Sequence, residues 1–187
     1  MTLGVIYEPV LIREKPFLDD PEFKLKERLV RSDKGPKRRL VWDRRGRTYV
    51  VIAPFTARKE LILVEEPKYG ILRRVINLPA GGIDSGEEPV EAAIRELQEE
   101  TGFRPRRMTL LRSGIIDFAD KIAGGEHFLF LAQDAEHVQD PEDSSRAIII
   151  PSQEAVLLLK GSHPNAEIAT AMTLSCLALA IAALELW

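Results

Sequence analysis

The chain has little sulfur and few aromatic rings. Among its 187 residues there is one cysteine, Cys176, and aromatic residues make up 6% of the sequence. A single cysteine excludes a disulfide bond within the chain and is typical of reducing surroundings, so we expect the protein in the cytoplasm. The net charge of −3 gives no overall positive field, and we therefore expect no nucleic-acid partner.

Uncharged runs of membrane-spanning length are also missing. The N-terminal apolar run is broken by Glu8, Pro9 and Arg13, which does not fit a signal peptide. Residues 171–184 carry no charge, but this run is shorter than the roughly 20 residues that a membrane span requires. The run is rich in alanine, so we expect a buried or dimer-packing helix and no membrane association.

The sequence does contain enough apolar material for a core, since apolar residues make up 45% and charged residues 29% of the chain. Apolar runs and their spacing predict strands and helices. The predicted strands are residues 39–43, 47–56, 61–65, 75–78, 108–116, 127–132 and 147–150, and the predicted helices are residues 88–101, 153–160 and 166–186. Strands interleaved with helices indicate a layered α/β fold. Residues 44–46 predict the turn of a hairpin between the first two strands.

The predicted helix 88–101 has clear start and stop signals. Pro89 stands where the first turn of a helix tolerates proline, and Gly102 follows the end as a C-terminal cap should. We expect its apolar side to pack on the core. That side consists of Val90, Ala93, Ile94, Leu97 and Thr101.

A second side of the same helix gathers negative charge. At about 100° per residue, Glu96, Glu99 and Glu100 fall within an arc of roughly 100°. Like charges at this spacing destabilise a helix, so something should offset their repulsion. A hard divalent cation such as Mg²⁺ or Mn²⁺ would do so, and Arg95 can brace Glu99 from one turn earlier.

A glycine loop lies just ahead of the helix. Gly81, Gly82 and Gly86 let the backbone fold tightly over the helix start. Carbonyl groups of the loop can join a metal shell, and its free N–H groups can face phosphate oxygens. A glycine loop, a helix and a carboxylate face together suit metal-assisted hydrolysis of a phosphoanhydride bond.

The complete spacing is more specific than its parts, because a glutamate-rich amphipathic helix alone is usually a solvated surface. Gly81 is followed after five residues by Glu87 and after seven more by Arg95-Glu96-Leu97; one residue then precedes Glu99-Glu100, and one more precedes Gly102-Phe103. Residues 81–103 thus resemble the Nudix box at every specified position.

This resemblance implies a fold, a class of reaction and an assembly. The fold would be the Nudix α/β/α sandwich with a mixed β-sheet, plus an N-terminal β extension. Residues 46–187 would form the Nudix hydrolase domain, and residues 1–45 an extension of short strands that is swapped between the subunits of a homodimer. Members of the family hydrolyse a nucleoside diphosphate linked to another moiety, so we expect an enzyme with a nucleotide substrate.

The resemblance also assigns roles within the box. Arg95 would orient the carboxylate cluster, Glu87 would be its structural salt-bridge partner, and the Gly81 backbone would face the substrate. The cofactor would be Mg²⁺, with Mn²⁺ as the alternative. The implied metal ligands are the carbonyl of Ala80 and the side chains of Glu96, Glu99 and Glu100.

The segments around the box narrow the substrate. The stretch LILVEEPKYG and the later NLPAGGIDSGEEP resemble the ADP-ribose pyrophosphatase branch, and LFLAQDAEHVQDPED resembles the ADP-compound hydrolases within it. Residues 117–120 depart from that branch, which often has a proline there. The implied reaction releases AMP from ADP-ribose or a related ADP compound. A dinucleoside polyphosphate, NADH, a nucleotide sugar or an RNA cap remains an alternative substrate, and a non-catalytic nucleotide-binding protein remains an alternative class.

Substrate contacts are expected outside the box. Lys68 matches a basic position that contacts substrate phosphate in this branch, and Trp42 is a candidate for stacking on adenine, with strand packing as the alternative. A carboxylate from a late loop often positions the attacking water. The candidates are Glu136, Glu142 and Asp143, and we favour Glu142 because it lies just ahead of the strand at 147–150.

Overall fold

The structure is a computed structural model that describes residues 10–19, 24–32, 34–44, 47–68, 72–116, 122–142, 145–163 and 170–186. Within these residues the elements are β1 (Val10–Asp19), β2 (Lys24–Ser32), β3 (Gly35–Asp43), β4 (Thr48–Pro54), β5 (Glu60–Lys68), β6 (Arg73–Asn77), β7 (Ala80–Gly82), α1 (Pro89–Thr101), β8 (Phe103–Arg104), β9 (Arg107–Ile116), β10 (Ile122–Ala123), β11 (Glu126–Gln133), β12 (Glu136–His137), β13 (Arg146–Pro151), α2 (Ser152–Leu159) and α3 (Ala171–Ala183). They form two compact units. The predicted domain division after residue 45 stays a prediction.

The first unit, Met1–Arg47 with Ile116–Glu126, is built on one sheet in the order β1-β2-β3-β10. Strands β1, β2 and β3 run antiparallel, and β10 lies parallel to β3. Glu27 on the central strand β2 is 7% exposed and forms ion pairs with Lys15 on β1 and Arg38 on β3. Opposite charges on adjacent strands therefore stabilise this sheet.

The second unit, Thr48–Ile115 with His127–Trp187, contains a sheet in the order β7-β4-β11-β9 and another in the order β13-β5-β6. Strands β13 and β6 both run antiparallel to β5, and β8 pairs with β12 as a short antiparallel ribbon. Strand β4 and residues 61–64 of β5 are nearly continuous apolar runs, as expected where both faces of a sheet are covered.

Alternate residues of the buried strands contribute to two separate cores. On β4, Val50 and Ile52 pack in a cluster with Leu97 of α1, whereas Val51 and Ala53 pack in a cluster with side chains of α2 and α3. Helices therefore cover both faces of the sheets in this unit. This layering agrees with the α/β/α sandwich that the sequence predicts.

Helix α1 begins one residue after the predicted start and ends where predicted. The Glu88 N–H donates to the Glu91 carboxylate at 3.2 Å, and Pro89 occupies the first turn. The predicted apolar side is partly wrong, because Val90 is 39% exposed and Ile94 is half-buried. The helix instead turns its two alanines to the sheet, which allows a close approach. The buried residues of α1 are Ala92, Ala93, Leu97 and Thr101.

The C-terminal end of α1 is fixed at Gly102. Its φ of 76° is left-handed, and its N–H donates to the Gln98 carbonyl at 2.8 Å. Its own carbonyl accepts the N–H groups of Val138 at 2.8 Å and Gln139 at 3.3 Å. A Cβ on Gly102 would lie 2.0 Å from the Gln139 carbonyl oxygen. Only glycine combines this left-handed φ with so short a distance to the Gln139 carbonyl. The two hydrogen bonds to its own carbonyl connect the end of the helix to residues 138–139.

The last two helices are present near their predicted positions. Helix α2 begins and ends one residue earlier than predicted, and α3 ends at Ala183 instead of residue 186; residues 166–169 of the predicted final helix are outside the described residues. Cys176 on α3 is fully buried, and its Sγ lies 3.5 Å from the Val51 carbonyl oxygen. Burial raises the pKa of this thiol to about 12. Cys176 is therefore a small residue of the core. None of the described helices has the length and apolar character needed to cross a membrane.

The predicted hairpin between residues 39–43 and 47–56 is wrong. Strand β3 pairs with β2 and β10, whereas β4 pairs with β7 and β11. The Arg47 N–H donates to the Arg44 carbonyl at 3.1 Å, while residues 45 and 46 of the predicted turn are outside the described residues. The partners differ because β4 is apolar on both faces and is buried in the second unit, while β3 is exposed or half-buried at every residue except Val41.

We expect Gly102→Ala to lower the free energy of unfolding by about 2–4 kcal/mol, because the new Cβ meets both a left-handed φ and the Gln139 carbonyl. Urea denaturation followed by circular dichroism measures this loss. Gly161→Ala is the control, since Gly161 also has a positive φ of 65° but no atom within 4 Å of its added Cβ. Equal losses in the two variants would contradict the role assigned to the Gln139 contact.

Candidate active site

Strand pairing holds the loop ahead of α1. Strand β7 pairs with β4 so that Gly81 lies opposite Val50. The chain then turns, with Gly86 at a φ of 84°. The Glu87 N–H donates to the Asp84 carbonyl at 3.1 Å, and the Asp84 N–H donates to the Glu87 carboxylate at 3.0 Å. The loop is thereby shaped by its own hydrogen bonds before the first turn of the helix.

Arg95 joins this loop to the helix. Its guanidinium forms a two-pronged ion pair with Glu87, with both N–O distances at 2.9 Å. It also donates to the Gly82 carbonyl at 2.9 Å, to Glu96 at 2.7 Å and to Glu99 at 3.2 Å. The hydrogen bonds with Glu87 raise the pKa of Arg95, and Arg95 in turn lowers the pKa of Glu87. Arg95 is therefore a permanent positive charge between loop and carboxylates.

Glu96 packs directly on the backbone of Gly81. A Cβ added to Gly81 would lie 2.0 Å from the Glu96 Cδ and 2.1 and 2.2 Å from its two carboxylate oxygens. Burial raises the pKa of Glu96, although the hydrogen bond from Arg95 acts in the opposite direction. The glycine thus provides the space in which this carboxyl group lies.

Glu100 reaches the same loop from the next turn of the helix. Its Oε2 accepts the Ala80 N–H at 3.0 Å. Burial raises the pKa of Glu100 to about 8, with smaller contributions from the negative charges of Glu66 and Glu96. The helix and the loop therefore hold two desolvated carboxyl groups that ionise more readily beside a positive charge.

Glu66 is a site residue that the sequence analysis missed. It lies on β5, its side chain is 16% exposed, and its Oε2 is 2.7 Å from the Nζ of Lys68. Its Oε1 accepts the Asn77 Nδ2 at 3.3 Å. Lys68 lowers the pKa of Glu100 and Glu66 raises it, so both charges act on that carboxyl group. The two-residue spacing of Glu66 and Lys68 on one strand face is the signal that could have revealed it.

The donor chemistry of the site fits a hard divalent cation. Such ions prefer oxygen ligands, and their charge would offset the cost of burying the Glu96 and Glu100 carboxylates. Within the described ranges, no three acidic, histidine or cysteine side chains already converge as a metal centre. Oxygens of Glu96 and Glu99 are instead turned to Arg95, and an oxygen of Glu100 is turned to the Ala80 N–H.

The late loop meets α1 at Glu99. The Glu142 N–H donates to the Glu99 carbonyl at 2.7 Å, and the side chains of both residues line one cleft. Glu136 points elsewhere, because its carboxylate is ion-paired with Arg106 at 2.7 Å and 59% exposed. Asp143 is outside the described residues. Of the two candidates that the structure describes, Glu142 is thus the one that lies beside the box helix.

Trp42 lies on β3 in the first unit, where the Arg44 guanidinium stands 4.9 Å from the ring centroid. The box residues and Lys68 all lie in the second unit. Adenine stacking by Trp42 therefore stays a prediction. Residues 117–120, where the sequence departs from the ADP-ribose branch, are outside the described residues.

Comparison with known proteins agrees with this geometry. A family model described as the NUDIX domain matches residues 44–172. The chain is 28% identical over 110 residues to an ADP-ribose pyrophosphatase of Bacillus subtilis, a match that covers 58% of this chain and 57% of that protein. It is 29% identical over 124 residues to a methanol dehydrogenase activator of Bacillus methanolicus, a match that covers 64% of this chain and 65% of that protein. These matches thus span less than two thirds of the length of each relative.

A solved structure of an ADP compounds hydrolase has the same fold. Its TM-score is 0.81 at 22% identity, and the match covers 98% of this chain and 97% of that one. The predicted α/β sandwich is therefore confirmed. The family model covers well over half of the chain, and the chain belongs to the Nudix family.

We expect Gly81→Ala to weaken Mn²⁺ binding, measured by isothermal titration calorimetry, by roughly tenfold or more, because the methyl group displaces the Glu96 carboxyl. Stability should change by less than about 1 kcal/mol, since the displaced group is the end of a flexible side chain. Gly82→Ala is the matched control, because a Cβ there meets no atom within 4 Å. Unchanged Mn²⁺ affinity in Gly81→Ala would show that the position of Glu96 is irrelevant to the ion.

Proposed function

We propose that this chain hydrolyses the diphosphate bond of ADP-ribose or a related ADP-containing compound and releases AMP, with Mg²⁺ as cofactor and Mn²⁺ as the alternative. The observation that most supports this proposal is the position of helix α1. Arg95 anchors the helix to the loop, and the helix places the carboxyl groups of Glu96 and Glu100 against the loop at Gly81 and Ala80. A desolvated carboxylate pair beside a glycine loop suits a substrate that arrives with bound divalent metal and negative phosphate.

The box residues supply the ion site in this proposal. The ligands would be the side chains of Glu96, Glu99 and Glu100 and the carbonyl of Ala80. A bound ion supplies polarisation of a phosphoryl oxygen and a lowered pKa of the attacking water. Arg95 is a positioning residue, because its bonds to Glu87 and Gly82 keep the helix and the loop at a fixed distance.

Residues outside the box would handle the substrate and the proton. Lys68 has a 46% exposed side chain and can bind a phosphate oxygen, while Glu66 holds its ammonium group in place. Glu142 would orient the water and accept its proton, since its backbone is held at Glu99 beside the predicted ligands. The Gly81 backbone would face the phosphates.

The choice of an ADP compound is supported by relatives that are named for ADP-ribose and for ADP compounds. A relative of similar identity is named for activating another enzyme, so the box alone does not select the group beyond the diphosphate. A cytoplasmic location and a homodimer with a swapped N-terminal extension are parts of the same proposal. A substrate panel ranked by kcat/KM tests the choice, with NADH, nucleotide sugars and dinucleoside polyphosphates as competitors.

We expect AMP release from ADP-ribose with Mg²⁺, measured by chromatography, to fall by about 100-fold or more in Glu100→Gln, because the amide cannot supply the negative charge. Chelation of the metal should have the same effect on the wild type. Glu88→Gln is the control, since Glu88 is exposed at the helix start and outside the carboxylate arc. A wild-type rate in Glu100→Gln would refute the proposed mechanism.

For the late loop, we expect Glu142→Gln to lower kcat by about 10- to 100-fold with little change in KM, because the amide no longer accepts a proton from water. Glu136→Gln should leave both constants unchanged, since Glu136 binds Arg106 at the surface. Steady-state kinetics of the two variants measures the contrast. A loss in Glu136→Gln with a normal Glu142→Gln would reverse the assignment.

A further inference from the structure

A cleft of about 540 Å³ runs along the side of α1 that faces the late loop. This volume is within the range of about 300–1,000 Å³ that is usual for small-molecule sites. The lining residues are Glu91, Ile94, Arg95, Gln98, Glu99, Arg104 and Glu142. The proposed function uses Arg95, Glu99 and Glu142 of this lining. It gives no role to the other four residues, Glu91, Ile94, Gln98 and Arg104.

The lining combines hydrogen-bond acceptors, donors and one apolar side chain. Glu91 supplies an exposed carboxylate, Arg104 supplies an exposed guanidinium, and half-buried Ile94 supplies an apolar surface. The Gln98 amide is fixed in orientation because its Nε2 donates to the Gln139 Oε1 at 2.8 Å. A second phosphate would meet several carboxylates here. A neutral group with several hydroxyls finds both partners that it needs, since hydroxyl groups donate and accept.

Arg104 is the most informative residue of this cleft. Its backbone is fixed where β8 pairs with β12, opposite Glu136. In the part of the chain that the structure describes, the guanidinium of Arg104 makes no ion pair, whereas Arg106 and Arg107 bind Glu136 and Asp134. Three arginines thus lie close together in sequence, and the one that lines the cleft is the one that keeps its donors available to a ligand.

We propose that this cleft binds the sugar that lies beyond the diphosphate of the substrate, with Arg104 donating to its hydroxyl oxygens and Glu91 accepting from its hydroxyl groups. The inference rests on the proposed function, because the cleft opens beside Glu99 and Glu142. It adds the place where the distal sugar binds and assigns Arg104 as a residue that determines specificity.

The test compares two substrates that share the scissile bond. One is ADP-ribose, and the other is the methyl ester of ADP on its terminal phosphate, which lacks the distal sugar. We expect Arg104→Ala to lower kcat/KM for ADP-ribose by roughly tenfold, mainly through KM, and to leave the methyl ester unaffected. Arg104→Lys should recover part of the loss. Arg112→Ala is the control, since Arg112 is exposed on β9 and does not line the cleft.

The outcomes separate this inference from the proposed function. An equal loss for both substrates would mean that Arg104 acts on the phosphates, and no loss for either would mean that the sugar binds elsewhere; each result overturns the inference and leaves the hydrolase proposal intact. A wild-type protein that hydrolyses neither substrate would refute the proposed function and the inference together.

Discussion

The Arg95 guanidinium is the interaction on which the rest of the site depends. It uses one rigid, permanently charged fork to connect Glu87 in the loop, the Gly82 carbonyl and two carboxylates of the helix. Because these groups come from both sides of the helix start, the loop cannot shift without breaking several charge-assisted hydrogen bonds. Lysine would not serve in its place, since an ammonium group lacks the planar fork.

Packing of α1 explains how a carboxylate-rich helix remains part of a stable fold. Its alanines and Leu97 lie against β4, so the burial of apolar side chains is confined to one narrow side. The remaining sides are free to carry charge and to border open space, including the cleft at Ile94. The same sequence of thirteen residues therefore supports the core, the carboxylate cluster and the wall of a binding cleft.

Signals between neighbouring residues made the box helix predictable from the sequence. Strand pairing and tertiary contacts join residues that are distant in sequence, and these features were predicted less well. Pro89 and Gly102 mark the bounds of α1 within one residue, because capping depends on neighbouring residues alone. The hairpin prediction at residues 44–46 was wrong because strand partners are chosen by burial in the folded chain. Glu66 was missed for a related reason. Its effect on the pKa of Glu100 depends on the tertiary packing of β5 beside α1, although its two-residue spacing from Lys68 is visible in the sequence.

The shared hydrogen bonds at Gly102 have a consequence for loop redesign. Hydrogen bonds join the segment that ends α1 to the segment that carries Glu142, because the N–H groups of residues 138 and 139 both donate to the Gly102 carbonyl. Lengthening the chain before residue 138 would therefore uncap the helix. Lengthening it after residue 139 would leave the cap hydrogen bonds in place, but it would move the Glu142 carboxylate and disturb the hydrogen bond from the Glu142 N–H to the Glu99 carbonyl. Natural or engineered variation in substrate range is therefore more easily accommodated after residue 139 than before residue 138.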